Sequence, residues 1–240
     1  MIFHFGTKKL DYYKGLLIKA DLNLHSQIGA RLAQLQPAPA QVLDFGAGEG
    51  ALSLRLADAG YQVTAVDIDA PSFKCKTAKF VPLDFNDQSA VDAFVAAHQG
   101  QFDVVLGIEV IEHIESPWGY IRSLTSMLRP GGIILITTPN ITSWLSRFRF
   151  LFAGRFQHFG EAQLSYGHIA PITPWELDLV LKRSGLTEIA VVSAGTLPPI
   201  FVTGFDQVLL ANIFMLPLRL FMSGLVDGWC IMATGRKPQP

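Results

Sequence analysis

The chain has 240 residues, 16% of them charged and 50% hydrophobic, with a formal net charge of −1 and a mean hydropathy of +0.32. This length and apolar content suit one packed α/β domain and exclude an intrinsically disordered chain, and the near-zero charge gives no basis for a general nucleic-acid binder. The two cysteines, Cys75 and Cys230, lack metal-ligand spacing, and the first residues carry charges too early for a secretory leader. No run of about 18 uncharged apolar residues occurs, so a cytoplasmic protein is expected, with peripheral contact at the inner face of a membrane as the alternative its apolar segments allow.

In chain order, residues 1–40 read as a helical cap, with helical spacing in "LHSQIGARLAQLQ" and a break at "PAPA". From 41 to 140, short apolar runs alternate with helical stretches. "QVLDFG", "YQVTAVDID", "KFVPLDF", "FDVVLGI" and "GIILITT" read as five strands, and "RPGG" stops the helix before the fifth. Such alternation predicts a mostly parallel sheet with helices on both faces. Residues 141–170 read as a substrate lid, in which Trp144, Leu145, Phe148, Leu151 and Phe152 share a helical stripe. In 171–240, "TPWELDLVLKRSG" is a helix with Thr173 as N-cap, Pro174 in its first turn and Gly185 as its stop. "LTEIAVVSA" and "DGWCIMATG" read as two last strands, separated by an apolar insertion at 195–224 that carries Phe201, Phe205, Phe214, Met215 and Phe221.

The turn "LDFGAGEG" places glycines at 46, 48 and 50 between a strand and a helix, where a ligand can approach the backbone closely. Asp67 ends the second strand, where an acid can accept hydrogen bonds from ribose hydroxyls. "GAGEGA" also satisfies the dinucleotide fingerprint, so the glycines alone do not separate NAD from other adenosine cofactors.

The order "VLDFGAGEG", "VTAVDID", "VPLDFND", "FDVVLGIEVIEH", "LRPGGIILITTPN" resembles the class I S-adenosylmethionine-dependent methyltransferases over residues 42–140. The resemblance implies a Rossmann-like seven-stranded sheet whose last strand is antiparallel, lying between the fifth and sixth. It implies S-adenosyl-L-methionine as cofactor, with Gly46, Ala47 and Gly48 at its methionine part and Asp44 orienting the amine. Asp67 and Ile68 would meet the ribose, Asp84 and Phe85 the adenine, and Ile108 would line the same cleft. An NAD enzyme rarely carries an acid at the position of Asp44. The N/D-P-P-Y/F signature of amino-methyltransferases is replaced here by "GIEVIEH".

Glu109, Glu112 and His113 are spaced i, i+3, i+4, so one helical turn would put them on one face at the ligand-binding edge of a parallel sheet. The zinc-protease order H-x-x-E-H fails because its first position is Glu109. "EVIEH" is similar to the strand-four motif of ubiquinone-type catechol O-methyltransferases and small-RNA terminal 2′-O-methyltransferases. There it implies a divalent metal held by Glu109, Glu112, His113 and, from before the next helix, His168. Three readings stay open: a Mg²⁺-like metal site, a metal-free catalytic or positioning role for His113, Glu109 and His168, and a structural role. His158, in "RFQHFG", lies in a loop that could reach the site, and the first reading is a satisfied surface histidine. The methyl acceptor expected is a small-molecule, lipid-linked or sugar hydroxyl, the last because "SRFRFLFAGRF…GHIAPITPWEL" resembles methyltransferases encoded with bacterial surface-polysaccharide enzymes. The insertion at 195–224 is a candidate lid, homodimer interface or membrane patch. The rival reading is a catalytically silent cofactor-binding protein or a membrane-peripheral interaction protein on this scaffold.

Overall fold

A computed structural model describes residues 10–85, 87–196 and 217–239. The first element corrects the helical-cap expectation. β1 (Asp11–Tyr13) and β2 (Leu16–Ile18) form an antiparallel hairpin, and only α1 (Leu24–Leu35) of the expected cap is helical. Lys14 and Gly15, with φ of 48° and 85°, make the two-residue turn with positive φ that matches the twist of paired strands. Leu16 and Ile18 are buried against Ala51 and Cys75, so tertiary packing fixes the hairpin.

The main sheet contains β3 (Gln41–Phe45), β4 (Gln62–Asp67), β5 (Lys79–Pro82), β6 (Phe102–Ile108), β7 (Leu128–Pro139), β8 (Thr187–Ala194) and β9 (Cys230–Arg236). Their spatial order is β5-β4-β3-β6-β7-β9-β8, with β9 antiparallel to both neighbours and the pairs from β5 to β7 parallel. This is the expected seven-stranded topology. The helix before "RPGG" ends there as expected, at Met127, while β7 already starts at Leu128 and its register against β6 shifts between Phe102 and Val104.

Helices α2 (Ala51–Asp58) and α5 (Trp144–Ala153) join α1 on one face, where Leu24, Leu32, Leu56 and Trp144 pack over β3, β4 and β6. On the other face lie α3 (Gln88–Ala97), α4 (Pro117–Met127) and α7 (Pro174–Arg183), burying Phe94, Ile121 and Leu181. A short α6 (Glu161–Leu164) follows α5. The Thr173 hydroxyl accepts the Glu176 N–H at 3.0 Å, as its N-cap position requires. The α5 stripe is buried only at its start: Trp144 and Leu145 are enclosed, whereas Leu151 and Phe152 are exposed. Of the apolar residues singled out in the insertion, Phe221 is exposed, and Phe201, Phe205, Phe214 and Met215 lie outside the described residues. Among the described residues, no helix is long and apolar enough to cross a membrane.

Asn140, buried just past β7, anchors the approach to β9. Its Nδ2 donates to the carbonyls of Leu225 and Asp227 at 2.9 and 3.0 Å, and its Oδ1 accepts the Thr142 N–H at 3.0 Å. Asn140→Ala removes three hydrogen bonds of a buried side chain to half-buried partners and should cost about 2–4 kcal/mol of unfolding free energy in a urea titration. A loss below about 1 kcal/mol would show that other contacts hold this segment.

Candidate active site

All parallel strands end at one edge of the sheet, and β9, running the other way, begins there: Pro139 at the end of β7 pairs with Cys230 at the start of β9. Ligand-binding groups of an open parallel sheet gather at this edge. Two neighbouring cavities occupy it.

The first cavity lies on the turn after β3. Gly46 and Gly48 have φ of 99° and 55°, and a Cβ on Gly46 would fall 2.3 Å from Val110 Cγ2, so residue 46 must be glycine. Asp67 at the end of β4 braces the turn. One of its oxygens accepts the Gly48 N–H at 2.8 Å, and the other accepts the Asp69 N–H at 3.0 Å. Asp44 is buried beneath the turn and accepts the Ser53 hydroxyl at 2.6 Å. Burial, opposed by the Ser53 hydrogen bond and reinforced by Asp67, pushes its carboxyl up to about 6. Ala47 and Ile108 line the cavity with Asp44, Gly46 and Gly48. Ile68 follows Asp67 and is exposed, an apolar surface against which a flat ring can pack. Asp84 is exposed after β5, and Phe85 stacks on Phe45 with ring centroids 4.4 Å apart.

These residues fit S-adenosylmethionine. The turn would present its backbone to the methionine part, the buried Asp44 lacks a cationic partner that an ammonium can supply, and Asp67, at the end of β4, would meet the ribose. Four further lining residues come from the N-terminal strap and are absent from the sequence expectation: Leu17, Lys19, Ala20 and His25. The hairpin and the start of α1, in place of a continuous helical cap, bring them there.

The second cavity, ≈ 310 Å³, is lined by Glu109, Glu112, His113, His158, His168, Trp229 and Cys230, and shares Lys19 with the first. The expected single helical turn after β6 is not formed. Glu109 has φ +54°, and Ile111–His113 form one 3₁₀ turn, so Glu109 diverges from the other two side chains. Its carboxylate is held by the Thr137 hydroxyl at 2.8 Å and by Cys230 Sγ at 3.5 Å. A non-glycine residue in this backbone region costs on the order of 1–3 kcal/mol, a strain found where a site over-determines a side chain.

Glu112, His113 and His168 do converge. One ligand atom from each lies within 4.8 Å of the others, and among the described residues this is the one such group that could hold a metal ion. The Glu112 carbonyl accepts both the Ile169 and Ala170 N–H at 2.9 Å, which draws His168 over the 3₁₀ turn. The His113 and His168 rings meet edge to face at 4.8 Å. Glu112 is buried with neither carboxylate oxygen hydrogen-bonded; burial and the Glu109 carboxylate push its pKa well above the usual range. Burial lowers the pKa of His113, helped by His168, and also that of His168. Both imidazoles are therefore neutral at pH 7. His168 Nδ1 lies 3.0 Å from the His158 carbonyl, so a neutral ring donates there and keeps its lone pair on Nε2.

His158, expected at the surface, is a cavity wall with its ring edge-on to Trp229 at 4.8 Å. Trp229 and Cys230 were missed as site residues. An antiparallel strand between parallel ones must start at their ends, and that placement of the last strand was the available signal.

A glycine turn, an acid ending the next strand and an antiparallel final strand together define the class I methyltransferase architecture. The family model of the methyltransferase domain matches residues 20–191, and the chain belongs to this family of S-adenosylmethionine-dependent enzymes. It is 41% identical over 116 residues to a ubiquinone biosynthesis O-methyltransferase of Xanthomonas axonopodis pv. citri (strain 306), covering 46% of this chain and 47% of that protein. The chain thus spans about half the length of the curated relatives it matches. Its fold is similar to a SAM-dependent methyltransferase from Archaeoglobus fulgidus, with a TM-score of 0.62, 17% identity and coverage of 89% and 94% of the two chains. It is also similar to phosphoethanolamine N-methyltransferase 2 of Haemonchus contortus, with a TM-score of 0.58, 15% identity and coverage of 92% and 55%.

Asp44 gives the site a pH signature. An ammonium of the cofactor paired with Asp44 would require the ionised carboxylate, whose pKa burial raises to about 6. Affinity for S-adenosylhomocysteine should therefore fall about tenfold per pH unit below that value and level off above it. Calorimetry between pH 5 and 8 checks this, and Asp44→Asn should flatten the profile.

Proposed function

We propose that the chain transfers the methyl group of S-adenosylmethionine to a hydroxyl of a ring-shaped acceptor, catechol-like, sugar or lipid-linked, seated in the ≈ 310 Å³ cavity. The observation that carries the reading is the Glu112–His113–His168 cluster, set beside the glycine turn across a shared wall. The name of the O-methyltransferase relatives supports oxygen as the methylated atom. Exposed Leu151, Phe152, Leu220 and Phe221 support an acceptor that carries an apolar tail.

When bound, the cofactor supplies an electrophilic methyl on a sulfonium, so the protein's task is to place and deprotonate an oxygen in line with it. Asp44 and the glycine turn fix the methionine end, and Asp67 fixes the ribose. Trp229 and His158, packed edge to face, wall the acceptor cavity. His113 and His168, neutral at pH 7, can accept the hydroxyl proton.

The same donors fit a divalent cation. Glu112 with its unpaired oxygens, His113 and His168 would hold it, and it would lower the pKa of the acceptor hydroxyl. One carboxylate and two imidazoles suit Mn²⁺, Fe²⁺ or Zn²⁺ better than the oxygen shell of Mg²⁺. Glu109, tied to Thr137 and Cys230, stands outside this set of three.

Turnover with labelled cofactor across catechols, sugars and lipid extracts tests both statements. A hydroxyl acceptor should be methylated, and Glu112→Gln or a chelator should slow the rate about 100-fold, with recovery of the chelated enzyme on metal addition. Chelator-insensitive turnover with an active Glu112→Gln variant sinks the cation reading alone. Absence of methyl transfer to every hydroxyl sinks O-methylation.

A further inference from the structure

Behind the acceptor cavity, three buried side chains carry oxygens with no hydrogen-bond partner among the described residues. They are the Glu112 carboxylate in the 3₁₀ turn, the Thr138 hydroxyl near the end of β7 and the Tyr120 hydroxyl in α4. The sheet register brings them to one face. Gly107 in β6 pairs with Ile136 in β7, and a Cβ on Gly107 would collide with Tyr120 Oη and stand 2.9 Å from Ile136 Cδ1. Thr138, two positions beyond Ile136, shares that face. The missing side chain at Gly107 lets the Tyr120 hydroxyl lie against the strand, one pleat from Thr138 and below the turn that carries Glu112.

The charges agree with this placement. Burial, reinforced by the Glu112 and Asp44 carboxylates, pushes the Tyr120 phenol well above its usual range, so the group stays an O–H donor. The Thr138 hydroxyl favours the Glu112 anion from beyond hydrogen-bond distance. Buried polar groups in folded proteins are paired, and a buried water with three partners joins groups too far apart to bond directly.

We propose that Tyr120 is a positioning residue for Glu112: its O–H donates to a buried water, which donates to Glu112 Oε2 and takes Thr138 as its third partner. Oε1 then stays with the acceptor-side cluster, where it lies 4.0 Å from His113 Nε2. The need for such support is local. The Glu112 backbone is tied down by the Ile169 and Ala170 N–H groups, but its carboxylate is not held by its own segment. Phenylalanine at 120 would fill the same space and lack the donor, so the role belongs to the hydroxyl. This inference rests on the reading of Glu112 as an acceptor-side group.

A crystal structure of the full chain tests the network directly. A water should lie within hydrogen-bond distance of Tyr120 Oη, Thr138 Oγ1 and Glu112, and Tyr120→Phe should lose it and release the carboxylate into more than one rotamer. No water there, or a Tyr120 hydroxyl bonded elsewhere, overturns the proposal. In a urea titration, Tyr120→Phe should lower the folding equilibrium constant about tenfold, whereas deleting a hydroxyl without a partner leaves it unchanged or raises it. In a Glu112→Met background the same substitution should cost less than about threefold, and equal losses in both backgrounds reduce Tyr120 to packing. Binding of Mn²⁺, followed by the resonance signal of the free ion, should weaken about tenfold in Tyr120→Phe. Unchanged affinity in a chain that binds Mn²⁺ overturns the positioning role. A wild-type chain that binds no Mn²⁺ removes the cation reading, and the crystal structure and the paired titrations then decide the network by themselves.

Discussion

The contact between the Asp67 carboxylate and the Gly48 N–H organises the ligand edge of this protein. It spans two neighbouring parallel strands at the point where both stop supplying ladder hydrogen bonds. Backbone donors there need partners, and the carboxylate satisfies two, at Gly48 and Asp69. The turn is thereby fixed with positive φ at Gly46, against which Val110 packs, and at Gly48. Asp44 lies directly below, buried, and gains its usefulness from the position this turn takes.

The acceptor side depends on a different device. Three segments distant in sequence meet at the 3₁₀ turn after β6: the turn itself, the loop before α7 that carries His168, and the start of β9. Two N–H groups on the Glu112 carbonyl hold the second segment in place, and the Glu109–Cys230 contact joins the third. Glu109 keeps its strained backbone because Thr137 binds both its N–H and its carboxylate. The price of that strain is met by a position in which the carboxylate walls the cavity without entering the Glu112 cluster.

Much of this could be read from residue order. Glycines at 46, 48 and 50 followed by Asp67 required a strand–turn–helix with an acid at the next strand end, because few other uses need both. The apolar runs with helices between them indicated a mostly parallel sheet, and the antiparallel last strand was implied by the family resemblance. What escaped was set by tertiary contact. Lys14–Gly15 is a weak hairpin signal beside the strong helical spacing of α1, and the hairpin holds because Leu16 and Ile18 find Ala51 and Cys75. The i, i+3, i+4 spacing of Glu109, Glu112 and His113 suggested one helical face, yet the strand's exit at Glu109 turned that residue away. His158 carried no pattern at all; its place in the wall comes from ring contact with Trp229.

The placement of β9 also separates the two halves of the site in the order of synthesis. Every residue of the glycine turn and its acids lies between 44 and 108, within strands that pair with near neighbours in sequence. Cys230 reaches Glu109 across 121 positions. A nascent chain that has emerged only as far as Ala194 already contains the whole glycine turn and the Glu112–His113–His168 cluster. Its second cavity still lacks the Trp229–Cys230 wall, which only the last strand supplies.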